Sequence, residues 1–322
     1  ATRDVLVLMD ADGQHNPEDI NRLIDKLHEG YDMVVGARDR SSQAGMGRML
    51  ANTIYNFLAS WMTGQKVMDL TSGFRVVRAK YFKKLPRPPY GVAPVSDAIA
   101  PKYTTGRYIG SSEDTQPGYY WVNTYNLSNR PLYVLPALTA HEAVPGHHLQ
   151  ISLNKELGDS IPKFRRSFYL SAFGEGWGLY SESLAEEMGI YTTPYERFGK
   201  LTYEQWRAGR LVVDTGIHAM GWTREQAVNF MKENTALSLH NNNNQVDRYI
   251  SWPGQAVSYK LGKMKIQKLR QKAVNALGSD VKIRDVHEII LEQGTVTLPI
   301  MEERVNKCMQ RELTLKEDSE SR

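Results

Sequence analysis

The fold of this chain is constrained most strongly by a change of hydrophobic pattern near residue 85. Before this point, short apolar runs alternate with segments of helical periodicity, whereas after about residue 136 the periodicity is mostly helical. The change begins at a cluster of residues that interrupt regular structure, Pro86-Arg-Pro-Pro-Tyr-Gly91. Because 322 residues are enough for two domains, the pattern predicts two unlike domains.

The first segment, residues 1–80, has the pattern of a partial α/β structure. Val5-Leu-Val-Leu-Met9 is a short apolar run typical of a buried parallel strand, and residues 33–35 form a second apolar run. A helix is predicted between them, beginning at Pro17, and another is predicted over 49–62. This alternation of strands and helices indicates α/β layers.

Residues 81–312 are predicted to form a second, mainly helical domain, so that the fold class of the whole chain is α+β. Up to about residue 135 this segment is rich in Tyr, Gly, Pro and Ser, which indicates extended, loop-rich structure. The asparagine run at 241–244 is predicted to be a solvated loop, and residues 313–322 a polar tail. Helices are expected at roughly 137–157, 163–188, 194–220, 223–234, 253–277, 283–291 and 299–312.

The composition excludes several functional classes. The 40 basic and 36 acidic residues give a net charge of +4 without a dense basic run, so no nucleic-acid partner is expected. Cys308 is the only cysteine, which excludes an intrachain disulfide and a thiolate zinc cluster. No apolar run reaches the ~20 residues of a membrane-spanning helix. No signal peptide follows Ala1, so we expect a cytoplasmic location, or a periplasmic or secreted one if an upstream segment is missing.

Side chains that bind metal ions are concentrated in residues 139–182. His141 and His147 supply two imidazoles, Glu142 follows the first of them, and Glu175 lies on the next predicted helix. A hydrolytic zinc site needs three protein ligands, an open fourth position for water and a general base. Each residue alone is more simply explained as a helix histidine or a solvated carboxylate. The four together favour a zinc site in which Glu142 is the base.

The six-residue spacing of the two histidines conflicts with an unbroken helix. On an ideal helix, His141 and His147 would be separated by about 240° and about 9 Å, whereas one zinc ion binds each imidazole at about 2.0–2.1 Å. Pro145 cannot donate a hydrogen bond to the carbonyl of His141, and Gly146 can adopt unusual dihedral angles. A shared ion therefore requires the helix to be interrupted at Pro145-Gly146.

Two further histidines are candidates for the site. His148 is the nearest rival ligand, and otherwise a substrate-facing group. Asp214 and His218 are four residues apart on one helical face, a spacing that suits a carboxylate orienting a catalytic histidine. A surface ion pair explains this last spacing equally well.

Two arginines and two tyrosines are candidates for substrate binding and catalysis. Arg248 is suited to clamping a substrate carboxylate, and Arg210 is assigned to substrate binding as well. Tyr249 or Tyr259 is suited to donating a hydrogen bond to a tetrahedral oxyanion. Aromatic core packing beside an exposed arginine is an equally favoured interpretation.

These stretches resemble a bacterial family known as domain of unknown function 885, whose members look like zinc metallopeptidases of the gluzincin type. The resemblance implies a zincin-like domain that hydrolyses peptide substrates, with Zn²⁺ bound by His141, His147 and Glu175. It also implies Glu142 as the general base. It runs in order from about residue 82 to 305, through Leu85–Val92, Gln116–Tyr120, His141–Gln150, Glu175–Tyr180, Arg210–His218, Arg248–Ile250 and Pro253–Gln255.

Residues 1–80 resemble a different family, the family 2 glycosyltransferases of the polyprenyl-phosphate mannose synthase kind, which have a glycosyltransferase-A-like fold. The resemblance implies that Asp10 and Asp12 bind Mg²⁺ or Mn²⁺ against a nucleotide-sugar diphosphate, since hard ions prefer oxygen ligands. The alternative functions are therefore sugar transfer to a polyprenyl phosphate, or a non-catalytic fusion of two incomplete domains. The matching pieces are Met9–His15, Val35–Arg38 and Asp69–Arg75.

Overall fold

The computed structural model describes residues 4–9, 16–31, 33–37, 74–78, 89–111, 116–278 and 281–320. The chain divides into two compact units, Ala1–Leu85 and Pro86–Arg322. Strands and helices occur in both units, and helices prevail in the second, which confirms the α+β fold class.

The described part of the first unit contains a three-stranded sheet and a helix. The helix forms where the sequence predicts it, with Leu27 fully buried, and it ends before Gly30, whose φ of 112° suits glycine. The predicted helix over 49–62 lies outside the described residues. The elements are β1 (Val5–Leu8), α1 (Asp19–His28), β2 (Met33–Val35) and β3 (Arg75–Arg78).

The pairing of these strands differs from the expected parallel arrangement. β3 lies between β1 and β2 and is antiparallel to both, so that Val76 lies opposite both Val7 and Val34. The outer strands run in the same direction, as a strand–helix–strand unit requires, but the space between them is filled by a strand of opposite direction. The prediction of a buried parallel strand at β1 is therefore wrong. Val7 and Leu8 are 36% and 37% exposed at the edge of the described sheet.

The second unit begins with a small sheet where the sequence predicts loop-rich structure. Its strands are β4 (Tyr90–Pro94), β5 (Gly106–Ile109) and β6 (Gly118–Val122), in the order β4-β6-β5. β6 pairs in parallel with β4 and antiparallel with β5, which places β5 at an edge of the sheet. Glycine is depleted in strands, and its presence in all three explains why the sequence pattern is weak.

The remainder of the described second unit is mainly helical. The helices predicted over 137–157 and 163–188 are each replaced by two shorter ones. No helix among the described residues combines the length and apolar character needed to cross a membrane. The α-helices are α2 (Leu135–Glu142), α3 (His147–Glu156), α4 (Lys163–Ser167), α5 (Ser171–Glu187), α6 (Pro194–Met220), α7 (Arg224–Asn234), α8 (Leu239–Ser251), α9 (Gln255–Leu277), α10 (Ile283–Leu291) and α11 (Leu298–Glu320).

Helix α8 contains the asparagine run, so the prediction of a solvated loop there is wrong. The hydroxyl of Ser238 accepts a hydrogen bond from the backbone N–H of Asn241 and caps the helix. Asn242 and Val246, one turn apart, are fully buried. Because asparagine is a weak helix former, packing rather than propensity stabilises this helix. Helix α11 likewise continues to Glu320, through most of the predicted polar tail.

Helices α5 and α9 pack with their backbones in contact. A Cβ atom at Gly262 would overlap the carbonyl oxygen of Ala172 and lie 2.6 Å from Cα of Gly176. Phe173 and Trp177, on the same helix as Gly176, belong to a buried apolar cluster that this contact holds together. The two glycines are therefore required by the close approach of the helices.

Candidate metal centre

Three side chains converge on one point in the second unit. Nε2 of His141 lies 3.4 Å and Nε2 of His147 lies 3.1 Å from Oε2 of Glu175. All three ligand atoms lie within 4.8 Å of one another. Donors bound at about 2.1 Å to a tetrahedral ion are about 3.4 Å apart, so the spacing and the N, N, O donor set fit zinc.

The interruption that the two histidines require is present between α2 and α3. The first helix ends at Glu142 and the second begins at His147, after a cis peptide bond between Val144 and Pro145. A Cβ atom at Gly146 would overlap the carbonyl oxygen of His141. Because only glycine permits this approach, the chain can turn back here and place the second imidazole beside the first.

Helix α5 holds the imidazole of His141 from one face. Glu175, Gly178 and Glu182 are spaced three and four residues apart, which puts them on the same side of the helix. Oε1 of Glu182 lies 2.8 Å from Nδ1 of His141, and a Cβ atom at Gly178 would lie 2.8 Å from Nε2. Glu182 was not predicted as part of the site, although its seven-residue distance from Glu175 is a usable signal. A carboxylate on Nδ1 orients the ring and leaves Nε2 for a metal.

The electrostatics of this cluster favour a positive charge. Burial lowers the pKa of His141, but its hydrogen bonds with Glu175 and Glu182 outweigh burial and raise the pKa to about 10. Burial raises the pKa of Glu175, but the neighbouring His147 and His141 hold it well below its usual range. A buried group of two carboxylates and two imidazoles is thus stabilised by a cation at its centre.

Glu142 is positioned by the edge strand of the small sheet. The backbone N–H of Tyr108, in β5, donates a 2.7 Å hydrogen bond to Oε2 of Glu142. The carboxylate is 7% exposed and lines the same cavity as the three candidate ligands. One carboxylate oxygen is therefore fixed by the backbone beside the candidate ligands, an arrangement that would suit a general base.

A cavity of about 720 Å³ is lined by the three candidate ligands. Of the other candidates from the sequence, Arg210, Arg248 and Tyr259 line this cavity. The ring of Tyr259 lies nearly parallel to that of His141, with the centroids 6.1 Å apart. Burial and Glu175 raise the pKa of Tyr259, but Arg248 and Arg210 outweigh them and lower it. Of the two tyrosines predicted for the site, Tyr259 is thus the one that lines the cavity.

Tyr249 and His218 are not among the described residues that line the cavity, contrary to their predicted catalytic roles. The hydroxyl of Tyr249 is buried and accepts hydrogen bonds from Trp206 and from Arg210. His218 is exposed, and its Nε2 lies 2.9 Å from the carbonyl oxygen of Tyr249. The carboxylate of Asp214 instead accepts the backbone N–H of Gly254. Helical spacing brings Asp214 and His218 to one face, but neighbouring backbone groups bind both.

His148 is neither a ligand nor a substrate-facing group in the described structure. Its Nδ1 lies 3.0 Å from the hydroxyl of Tyr108, and its ring packs against Tyr90 and Tyr108. Burial lowers the pKa of His148. Successive residues of a helix point about 100° apart, so His147 faces the cavity while His148 faces the sheet.

Two solved structures are similar to this chain over nearly its whole length. A candidate lipoprotein of Colwellia psychrerythraea is 30% identical, with a TM-score of 0.69, and covers 93% of this chain and 53% of its own. A candidate lipoprotein of unknown function from Shewanella oneidensis, 20% identical with a TM-score of 0.57, shares the fold and covers 94% of this chain and 51% of its own. The chain thus spans about half the length of either protein.

The first residues match curated glycosyltransferases over a short stretch. The polyprenol monophosphomannose synthase of Mycolicibacterium smegmatis is 32% identical over 85 residues, 25% of this chain and 32% of that protein. The undecaprenyl-phosphate mannosyltransferase of Micrococcus luteus is 36% identical over 84 residues, 24% of this chain and 32% of that protein. The chain therefore spans about a third of these relatives. Asp10 and Asp12 lie outside the described residues.

Family models match both of the families that the sequence motifs indicate. The model for glycosyl transferase family 2 matches residues 1–86. The model described as a bacterial protein of unknown function matches residues 65–305, well over half of the chain. The chain therefore belongs to the bacterial family of unknown function DUF885.

Proposed function

We propose that the second unit is a zinc-dependent hydrolase that cleaves peptide bonds. The observation that carries this proposal is the convergence of His141, His147 and Glu175 at the wall of a large cavity, with Glu142 on the same wall. Three ligands of this kind leave a fourth position open toward the cavity, as in catalytic rather than structural zinc sites. A peptide suits the cavity because it is bordered by β5, an edge strand of the described sheet; its outward backbone groups, other than the N–H of Tyr108 that Glu142 accepts, can pair with an extended chain.

Zn²⁺ at this position would supply Lewis-acid chemistry, polarising the scissile carbonyl and acidifying a water molecule. Glu142 accepts the proton of the attacking water and passes it to the amine that leaves. The backbone N–H of Tyr108 fixes this carboxylate, and Glu182 fixes the ring of His141. The hydroxyl of Tyr259 would stabilise the negative charge that develops on the carbonyl oxygen.

Metal analysis of the purified protein tests the proposal. We expect about one zinc per chain in the unaltered protein and less than about 0.2 in the His141→Ala variant, because two remaining ligands do not hold the ion. His218→Ala removes an exposed histidine outside the cavity and is expected to leave the zinc content unchanged. A zinc content below about 0.2 in the unaltered protein, or an equal content in His141→Ala, would contradict the proposal.

Both solved relatives are described as candidate lipoproteins, which favours a periplasmic or secreted location for this protein. A membrane-associated or periplasmic hydrolase would meet peptides rather than nucleotide sugars. The location is tested by fractionating cells that make the full-length natural protein. Its recovery with the cytoplasmic marker enzymes would contradict this assignment.

The match of residues 1–86 to glycosyl transferase family 2 favours a second candidate function, metal-dependent transfer of a sugar to a polyprenyl phosphate. Asp10 and Asp12 would bind Mg²⁺ or Mn²⁺ against the diphosphate of the donor. We expect GDP-mannose to bind only with Mg²⁺ or Mn²⁺ present and the Asp12→Ala variant to lose this binding. The absence of binding heat in calorimetry at millimolar GDP-mannose, with Mg²⁺ and with Mn²⁺, would contradict the glycosyltransferase function.

A further inference from the structure

The cavity beside the metal centre carries more positive than negative side chains. Its described carboxylates are Glu142 and Glu175, both already assigned to the metal chemistry. Arg207 has an ion-pair partner outside the cavity lining, because its Nη2 lies 3.2 Å from Oε1 of Glu182. The others face the cavity without such an ion pair among the described residues. The cations that line it are Lys102, Arg107, Arg207, Arg210 and Arg248.

Arg248 is the cation best placed to bind a substrate anion. It is half-buried, and its Nη2 donates hydrogen bonds to Oε1 of Gln255 at 2.9 Å and to the hydroxyl of Tyr259 at 3.0 Å. Both partners are neutral groups, and in the described structure no carboxylate lies within 4.0 Å of the guanidinium. The N–H groups on Nε and Nη1 are therefore available to a carboxylate, to which a charged guanidinium donates strong hydrogen bonds.

Arg210 adds a second positive charge beside Tyr259. It is 1% exposed, and it is bound by the hydroxyl of Tyr249 and the amide oxygen of Gln245, again without a carboxylate in the described part of the chain. Its guanidinium carbon lies 4.3 Å from the ring centroid of Tyr259. A buried guanidinium without a counter-ion is unfavourable, and an anion arriving in the cavity relieves this.

The position of these cations relative to the metal centre limits what that anion can be. Tyr259 contacts Arg248 through its hydroxyl and stacks on His141 through its ring. The guanidinium is thus about one tyrosine side chain away from a metal ligand. A peptide advances about 3.3–3.6 Å per residue, so an anion at Arg248 belongs to the first or second residue beyond the scissile bond.

We infer that Arg248, supported by Arg210, binds the free C-terminal carboxylate of a peptide substrate, so that the protein releases one or two residues from C termini. This inference rests on the proposed function and specifies its substrate. In the reaction, water adds across the amide bond. Its hydroxyl joins the carbonyl carbon, and its proton passes through Glu142 to the nitrogen, which leaves as the amine of the released residue or dipeptide.

Binding to a protein that cannot turn over substrate tests the inference directly. The probes are a pool of N-acetylated octapeptides with free C termini and the same pool with C-terminal carboxamides, added to zinc-loaded Glu142→Gln protein. We expect the free acids to bind about 100-fold more tightly, because the amides leave the guanidinium unpaired. Arg248→Met is expected to abolish the difference, and Arg248→Lys to keep part of it. Arg224→Met, which removes an exposed arginine paired with Asp247, is the control and should keep all of it.

Cleavage products of the unaltered protein provide the second readout. Mass spectrometry of the free-acid pool is expected to show loss of one or two C-terminal residues and no internal cuts. Equal affinity for acids and amides, or internal cleavage of both pools, would overturn the inference while leaving the zinc test of the proposed function untouched. Preference for peptides with an internal Glu or Asp, whatever their C terminus, would assign Arg248 to an acidic side chain and also overturn it.

Discussion

Replacing Glu142 with glutamine is expected to slow peptide hydrolysis by ~10²–10⁴-fold, the usual contribution of a general base. Glutamine has the same shape, and its amide oxygen can still accept the hydrogen bond from the N–H of Tyr108. It cannot accept a proton from water, so the loss should fall on kcat rather than on folding or metal binding. Steady-state kinetics together with the zinc content of the same preparation measure both effects.

The matched control is Glu233→Gln, which makes the same change at an exposed position on α7. It should leave kcat and the zinc content unchanged. Glu142→Asp keeps the carboxylate but withdraws it by one methylene group from Tyr108, and we expect an intermediate rate. A Glu142→Gln protein that retained the full rate would show that another group accepts the proton.

Replacing Gly262 with alanine is expected to lower the free energy of unfolding by about 3 kcal/mol, at the upper end for an overpacked interior. The added Cβ would overlap the carbonyl oxygen of Ala172 and approach Cα of Gly176, and neither backbone atom can move without displacing a helix. For a domain of 150–250 residues this corresponds to a fall in Tm of about 6–12 °C. Thermal and urea denaturation of the purified variant measure the change.

Gly209→Ala is the matched control, since Gly209 also lies inside a long helix. A Cβ there would lie 3.3 Å from Sδ of Met231, the end of a flexible side chain that can shift. Alanine gains about 1 kcal/mol over glycine in a helix interior, so this variant should be neutral or more stable. If both substitutions had the same effect on Tm, the close contact of α5 and α9 would not account for the stability.

The convergence of the three candidate ligands could be predicted from the sequence because each was chosen mainly for its own chemistry. All three candidates, His141, His147 and Glu175, are residue types that bind metal ions. The two histidines are six residues apart and can reach one ion only if the helix is interrupted, and Gly146 marks that interruption. The partner of His141 was missed. Glu182 lies on the same helix face as Glu175, seven residues earlier, but the direction of that face is fixed by packing against α9, a distant helix that the local sequence does not reveal.

Directions of side chains were the least predictable part of the site. His148, Tyr249 and His218 carry suitable groups, but each is bound by a neighbour from another segment that the local sequence does not reveal. The same holds for secondary structure. The asparagine run is helical because Asn242 packs in the interior, and β1 pairs with a strand about 70 residues away. Tertiary contacts override propensity in both cases.

The glycine contact between α5 and α9 has a consequence for how the metal centre can change during evolution or design. Glu175 is adjacent to Gly176, whose backbone contacts Gly262 in α9. The position of this candidate ligand is therefore fixed by a helix that contributes none of the three candidate ligands. Repacking of the surrounding apolar side chains leaves this backbone contact unchanged. The residue type at position 175 can therefore change without moving its backbone. The location of that backbone depends instead on two glycines, Gly176 and Gly262.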